Sequence, residues 1–178
     1  SKMSNDLRLL SSGPRAGIGE INLPAKQNGS SIMPGKVNPV IPEVVSQVAF
    51  RVIGNDLTIT MAAESGQLEL NAFEPIIFHS LFESIDCLAH AVATLTVNCI
   101  TGIQANEMAC YKHVEESAGI ATALCPTIGY QQASAIAKES LKTGKTVREL
   151  VLEKGLLTIA ETDSILDLKH MAGIPAAI

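Results

Sequence analysis

Tryptophan is absent from this sequence, and aromatic residues of any kind make up only 3% of its 178 residues. A core built without them must rely on Leu, Ile, Val, Ala and Met. That composition suits packed helices better than a β-sandwich, where aromatic and β-branched residues dominate. Charge is scarce as well: 17% of residues are charged against 47% apolar. This excludes a disordered tail and predicts that part of the apolar surface is covered by other chains or further sequence. The net charge of −5 lacks the basic footprint of a nucleic-acid partner. The four cysteines show no CxxC spacing and no histidine in metal-ligand register. A reduced, cytoplasmic protein is expected, with neither a disulfide framework nor a zinc site. No run of about 18 uncharged apolar residues occurs, so no membrane span is expected. The start, SKMSNDLRLL, is polar and broken by charge, unlike a signal peptide.

What is present is helical periodicity. Met3, Leu7 and Leu10 share one face of a short helical stretch. Residues 13–29 carry several glycines, Pro14 and Pro24 with little periodicity. They read as a structured loop with a short extended piece at Ile21–Leu23, of a length that usually serves function. From Pro39 to about Ala63, Ile41, Val44, Val45, Val48, Val52, Ile53 and Leu57 recur at spacings of three and four. After a break at 64–74, Pro75 starts a second long helix. Its expected buried face holds Ile76, Ile77, Leu81, Ile85, Leu88, Ala89, Val92 and Leu95, and Gly102 is its expected C-terminal cap. His79 and His90 fall on this helix and are expected as packing residues. Two helices of such length need partners along most of their length, and an intermolecular bundle is the natural answer. Beyond Gly102 the helices shorten: Asn106 reads as a cap, Pro126 and Gly129 as a break, and Gln131 to about Leu141 as a helix. Thr146 with Glu149 and Thr158 with Glu161 match the capping box. The expected fold class is all-α, with a bundle part over 1–102 and a small helical domain over 103–178.

The stretch with the most chemistry is GSSIMPGKVNPVIPE, residues 29–43. Adjacent hydroxyls at Ser30 and Ser31 are followed by Lys36 and Asn38 and then by Pro39 at the expected start of a helix. Asn as cap and Pro at the first helical position would aim unpaired N–H groups and a positive helix end at an anion. Three roles for the serine are open on these residues alone. An acyl-transfer nucleophile would want a His base and a GxSxG elbow, which is not present. A phosphate-binding hydroxyl would want GxxxxGK[ST], and Lys36 is followed by Val37. A proton-transfer base would need a strongly perturbed serine, stabilised by a neighbouring cation, backbone donors and exclusion of water.

GSSIMPGKVNP resembles the signature loop of the fumarase/aspartase superfamily, whose members catalyse anti elimination from succinyl-type substrates. KMSNDLRLLSSGPRAGIGEINLP before it, and NPVIPEVVSQVAFRVIGND and GQLELNAFEP after it, extend the resemblance. NCITGIQAN and TGKTVRELVLEKGLLTIAE are similar to the small C-terminal domain of the same proteins. The resemblance covers nearly the whole chain but only the C-terminal minority of such a subunit. The NPVIPEVV continuation is closer to the aspartase branch than to the fumarase branch.

The resemblance implies an ammonia elimination from L-aspartate giving fumarate. Ser30 matches the general base that takes the Cβ proton. Ser31 and the loop backbone match donors to the aci-carboxylate intermediate. Lys36, Val37 (through its backbone) and Asn38 match carboxylate-binding positions, and Glu43 a supporting carboxylate. The resemblance further implies a homotetramer whose active sites combine residues of three subunits. No cofactor is implied, and no metal-ligand spacing is present. Because the other substrate-binding segments of such subunits are not in these 178 residues, the chain by itself is expected to be inactive. A fumarate hydratase part and a non-catalytic helical assembly module are the alternatives.

Overall fold

The computed structural model of the chain describes residues 1–13, 15–27 and 37–174. The described residues are all-α apart from one two-residue strand pair, and the backbone divides into two compact units, Ser1–Asn106 and Glu107–Ile178. In the first unit, α1 (Lys2–Leu10) packs on α2 (Val40–Glu64), and α2 packs on α3 (Glu74–Asn98). Contacts at Arg51–Glu83, Asn55–Ser80 and Ala62–Asn71 run in opposite sequence order, so α2 and α3 form an antiparallel pair. The second unit holds α4 (Glu107–Glu115), a 3₁₀ segment (Ala118–Leu124), α5 (Cys125–Ile128), α6 (Tyr130–Thr143), α7 (Val147–Glu153), α8 (Ile159–Ile165) and α9 (Leu168–Met171).

The α2–α3 seam departs from the expected pattern. Its buried residues are small or polar: Asn55 and Ala62 on α2, Ser80, Ser84 and Ala91 on α3, with Leu95 as the one large apolar residue. The expected face of α3 is largely exposed, including Leu81, Ile85, Leu88 and Val92. His79 and His90 are also exposed, where packing positions were expected. The reason is geometric. One helix covers only one stripe of another, and the stripe of small residues lets α2 and α3 approach closely. The large side chains are left on the opposite face.

The seam is held by polar contacts. Asn55 Nδ2 donates to Glu83 Oε2 (2.8 Å), Ser84 Oγ (3.1 Å) and the Ser80 carbonyl (3.3 Å). Arg51 pairs with Glu83 at 3.0 Å. The Asn55 amide and Arg51 hold the Glu83 carboxyl below its ordinary value of 4.5, the amide contributing most and partial desolvation opposing it. Among the described residues, the Glu74–Gly102 segment is long and apolar enough by length and composition to cross a membrane. The segment carries the charges of Glu74, Glu83 and Asp86 and several threonines.

In the second unit the core is conventional. Ile120, Ala121, Leu124, Ala133, Ile136, Val147, Leu150, Val151 and Leu166 form one buried cluster. Both capping boxes form: Thr146 and Thr158 accept from the backbone N–H groups of Glu149 and Glu161, whose carboxylates accept in return from the cap residues' N–H. Those bonds lower the pKa of both glutamates. Arg148 on α7 donates to Glu115 at the end of α4 (2.9 Å) and to Asp163 on α8, tying three helices together.

Candidate active site

The candidate loop meets the fold at α2. The structure starts α2 at Val40 with Pro39 as the cap residue (φ −78°, ψ 59°), one residue later than the sequence pattern suggests. Val40 N–H donates to the Asn38 carbonyl at 2.9 Å, closing an inverse γ-turn around Pro39. Glu43 N–H is taken by the Pro39 carbonyl at 3.1 Å, and Pro42 has no N–H. Among the described residues this leaves Ile41 as the one first-turn amide with no backbone partner. The helix start is therefore a poorer source of free donors than its sequence implies, because proline and the γ-turn remove what the dipole argument needs.

The segment leading towards the loop is anchored just as firmly. Ser12 Oγ accepts from Ile18 N–H (3.0 Å) and donates to the Leu9 carbonyl (2.6 Å), bringing Ile18 back to the end of α1. A Cβ on Gly17 would lie 2.5 Å from the Ser12 carbonyl group, so only glycine fits there. β1 (Ile21–Asn22) pairs antiparallel with β2 (Gln104–Ala105), Ile21 opposite Ala105. Asn106, expected as a cap, donates its side-chain amide to the Gly19 carbonyl at 2.9 Å and its N–H to the Glu20 carbonyl at 2.8 Å. Gly102 ends the 3₁₀ turn Ile100–Gly102 rather than capping α3 in a left-handed conformation. A Cβ there would come within 2.6 Å of Pro24 Cγ, so the glycine serves a close approach between segments.

These segments frame a groove of about 950 Å³, the size of a small-molecule site. Three of the six site residues expected from sequence line it together: Val37, Asn38 and Glu43. Val37 is exposed, and Asn38 and Glu43 are half-buried. Ser30, Ser31 and Lys36 lie outside the described residues. The groove also holds Arg8, Ser11, Ser12, Asn22 and Asn106, which sequence reasoning passed over as site residues. Arg8 Nε stands 3.9 Å from Glu43 Oε1, and its terminal nitrogen donates to Asn5 Oδ1 at 3.2 Å. Nothing local in the sequence pairs Arg8 with Glu43; only the packing of α1 on α2 does. Behind the γ-turn, Pro39, Val40, Ile41 and Pro42 meet Leu23, Pro24 and Cys99 around a void of about 10 Å³. Burial raises the Cys99 thiol pKa, so this cysteine is an inert wall.

The chemistry open to the described part of the groove is the binding of a small polar molecule between one cation, one carboxylate and several amides and hydroxyls. Comparison with known proteins narrows it. A family model described as "Lyase" matches residues 1–54, and one described as "Fumarase C C-terminus" matches residues 120–173. The chain is 61% identical over 171 residues to aspartate ammonia-lyase of Pseudomonas fluorescens, a match covering 96% of this chain and 36% of that protein. A crystal structure of Brucella melitensis fumarate lyase:delta crystallin bound to cobalt is similar at a TM-score of 0.90 and 57% identity, covering 96% of this chain and 37% of that one. Class II fumarase of Schistosoma mansoni is similar at a TM-score of 0.84 and 38% identity, over 93% and 34%. The chain thus spans about a third of the length of the relatives it matches.

Proposed function

The chain belongs to the fumarase/aspartase superfamily, and from that premise we propose that it carries one wall of the active site of an aspartate ammonia-lyase. The observation that carries the reading is the 61% identity to an aspartate ammonia-lyase over 171 of the 178 residues. A match of that extent runs through the serine loop. The class II fumarase, at 38%, is the more distant comparison, and water elimination is the second reading.

In the proposed reaction Ser30 removes a proton from Cβ of L-aspartate as general base. The electron pair passes into the adjacent carboxylate, forming a dianionic aci-carboxylate. Ser31 and backbone N–H groups of the loop stabilise it by donating to its oxygens, where charge develops in the transition state. The electrons then return, the Cα–N bond breaks, and ammonia leaves to give fumarate. Lys36, the Val37 backbone and Asn38 hold substrate carboxylates, and Glu43 supports the site from the first turn of α2. The shared groove at Val37, Asn38 and Glu43 and the anchored segments on either side favour this assignment. The exposed apolar faces of α2 and α3 favour a homotetramer in which other subunits complete both the bundle and the site. On this reading the 178 residues alone have no turnover.

The test replaces the matching 171 residues of the P. fluorescens enzyme with this sequence. Fumarate formation is then followed by ultraviolet absorbance from L-aspartate and from L-malate. L-aspartate is the expected substrate, and Ser30→Ala is expected to lower kcat by about 10²–10⁴-fold. Preference for L-malate would replace the reading with a hydratase. Full activity of Ser30→Ala would sink the base assignment.

A further inference from the structure

Arg8 and Glu43 are the only charged residues among the described residues lining the groove, and they stand as a pair across the α1–α2 contact. We propose that Arg8 is a positioning and specificity residue. Its guanidinium neutralises Glu43, so that the groove accepts a doubly charged dicarboxylate beside a resident carboxylate. The inference rests on the functional reading above and goes beyond it, since that reading assigns Arg8 no role.

The physical argument starts from Glu43. It sits half-buried in the first turn of α2, in the same groove as Asn38. A carboxylate there repels an incoming dianion, and in a partly hydrated groove that repulsion is reduced but not abolished by salt. Arg8 offsets it without competing for the ligand. It approaches Glu43 through Nε at 3.9 Å while Asn5 Oδ1 accepts from its terminal nitrogen at 3.2 Å, so α1 itself holds the guanidinium on the Glu43 side. A pair this long and this exposed stabilises the fold very little. Its effect is on the field of the groove, and the same positive charge serves whether the dicarboxylate is substrate or product.

The experiment uses the chimeric enzyme described above. Arg8→Gln is expected to raise KM for L-aspartate, and Ki for the competing dicarboxylate succinate, by about five- to tenfold. That is the scale of one uncompensated charge several ångströms away. kcat should stay within about twofold of the parent, and Arg8→Lys should restore KM. The excess in KM should shrink as salt is raised, because screening acts on charge and not on packing. Arg8→Met, which keeps the aliphatic stem, is measured beside Arg8→Gln in case the latter loses its fold, with circular dichroism as the check on both. An unchanged KM, a fall in kcat at constant KM, or an excess that ignores salt overturns the inference while leaving the lyase reading intact. Absence of L-aspartate turnover in the parent chimera overturns both.

Discussion

Asn55 and Ser46 sit nine residues apart on α2, each only 4% exposed, and they behave oppositely. Asn55 is bonded to three acceptors on α3, whereas Ser46 Oγ has no partner among the described residues. Removing the first strands buried acceptors and the Glu83 carboxylate. Asn55→Ala is expected to cost about 2 kcal/mol, read from the urea unfolding midpoint. Removing the second relieves a hydroxyl that was desolvated for nothing. Ser46→Ala is expected to be neutral or to stabilise by up to about 1 kcal/mol in the same assay. The Asn55 cluster also gives acid sensitivity a sign. Glu83 titrates below its ordinary 4.5 in the folded chain. Its contribution to stability is therefore fully present above that pH and is lost as pH falls through the lower folded value. Glu83→Gln should flatten the loss of stability below about pH 4.5, a slope obtained from urea melts across that range; an unchanged slope would remove Glu83 from the account.

The turn between α2 and α3 is where local sequence and local structure disagree most. Gln67 and Leu70 exchange both backbone hydrogen bonds at 2.8 and 2.9 Å, and between them Leu68 (φ 49°) and Glu69 (φ 65°) are both left-handed. Such a turn asks for Asn-Gly, and no periodicity rule would place Leu and Glu there. Leu68, fully exposed, gains nothing from burial to offset the strain. The pair Leu68→Asn and Glu69→Gly is expected to raise the thermal midpoint, by the equivalent of about 1–2 kcal/mol. The reverse holds on the other side of the unit. Gly17→Ala would drive a methyl into the Ser12 carbonyl, opening the segment that frames the groove, and is expected to lower stability by more than 1 kcal/mol in the same melt. Other elements were legible from residues alone. Both capping boxes were, because their signal is complete within four residues. The start of α2 was legible to within one residue, and the difference came from a γ-turn whose geometry no spacing encodes.

Across the whole molecule the unresolved balance is apolar surface. Phe50, Ile53, Leu57 and Met61 form an exposed stripe on α2, and Phe78, Phe82, Ile85 and Val92 another on α3. Each lies on a helix whose opposite side is already packed. Stripes of this length drive association in water. In sedimentation velocity the chain is expected to migrate as an oligomer, and the double variant Phe82→Glu, Ile85→Glu as a much smaller species. A monomeric wild-type chain at micromolar concentration would contradict the proposed intermolecular bundle. The groove adds a second demand on assembly. Among the described residues it opens around Asn38 and Glu43 with one cation and one carboxylate, too few groups to hold and activate a dicarboxylate without contributions from elsewhere.

By itself the sequence determined the all-α class, the two long helices, the caps of the short ones and the resemblance carried by residues 29–43. Each of these rests on residues within a turn or two of each other, where spacing and backbone preference act directly. The tertiary structure decided which stripe of each helix is covered, that Asn38 and Glu43 share a groove with Arg8, and that Gly102 yields to Pro24 and Asn106 clamps Gly19. Those pairings join segments tens of residues apart. They follow from how closely the helices can approach, which depends on every side chain in the contact at once and leaves no mark on any one stretch of chain.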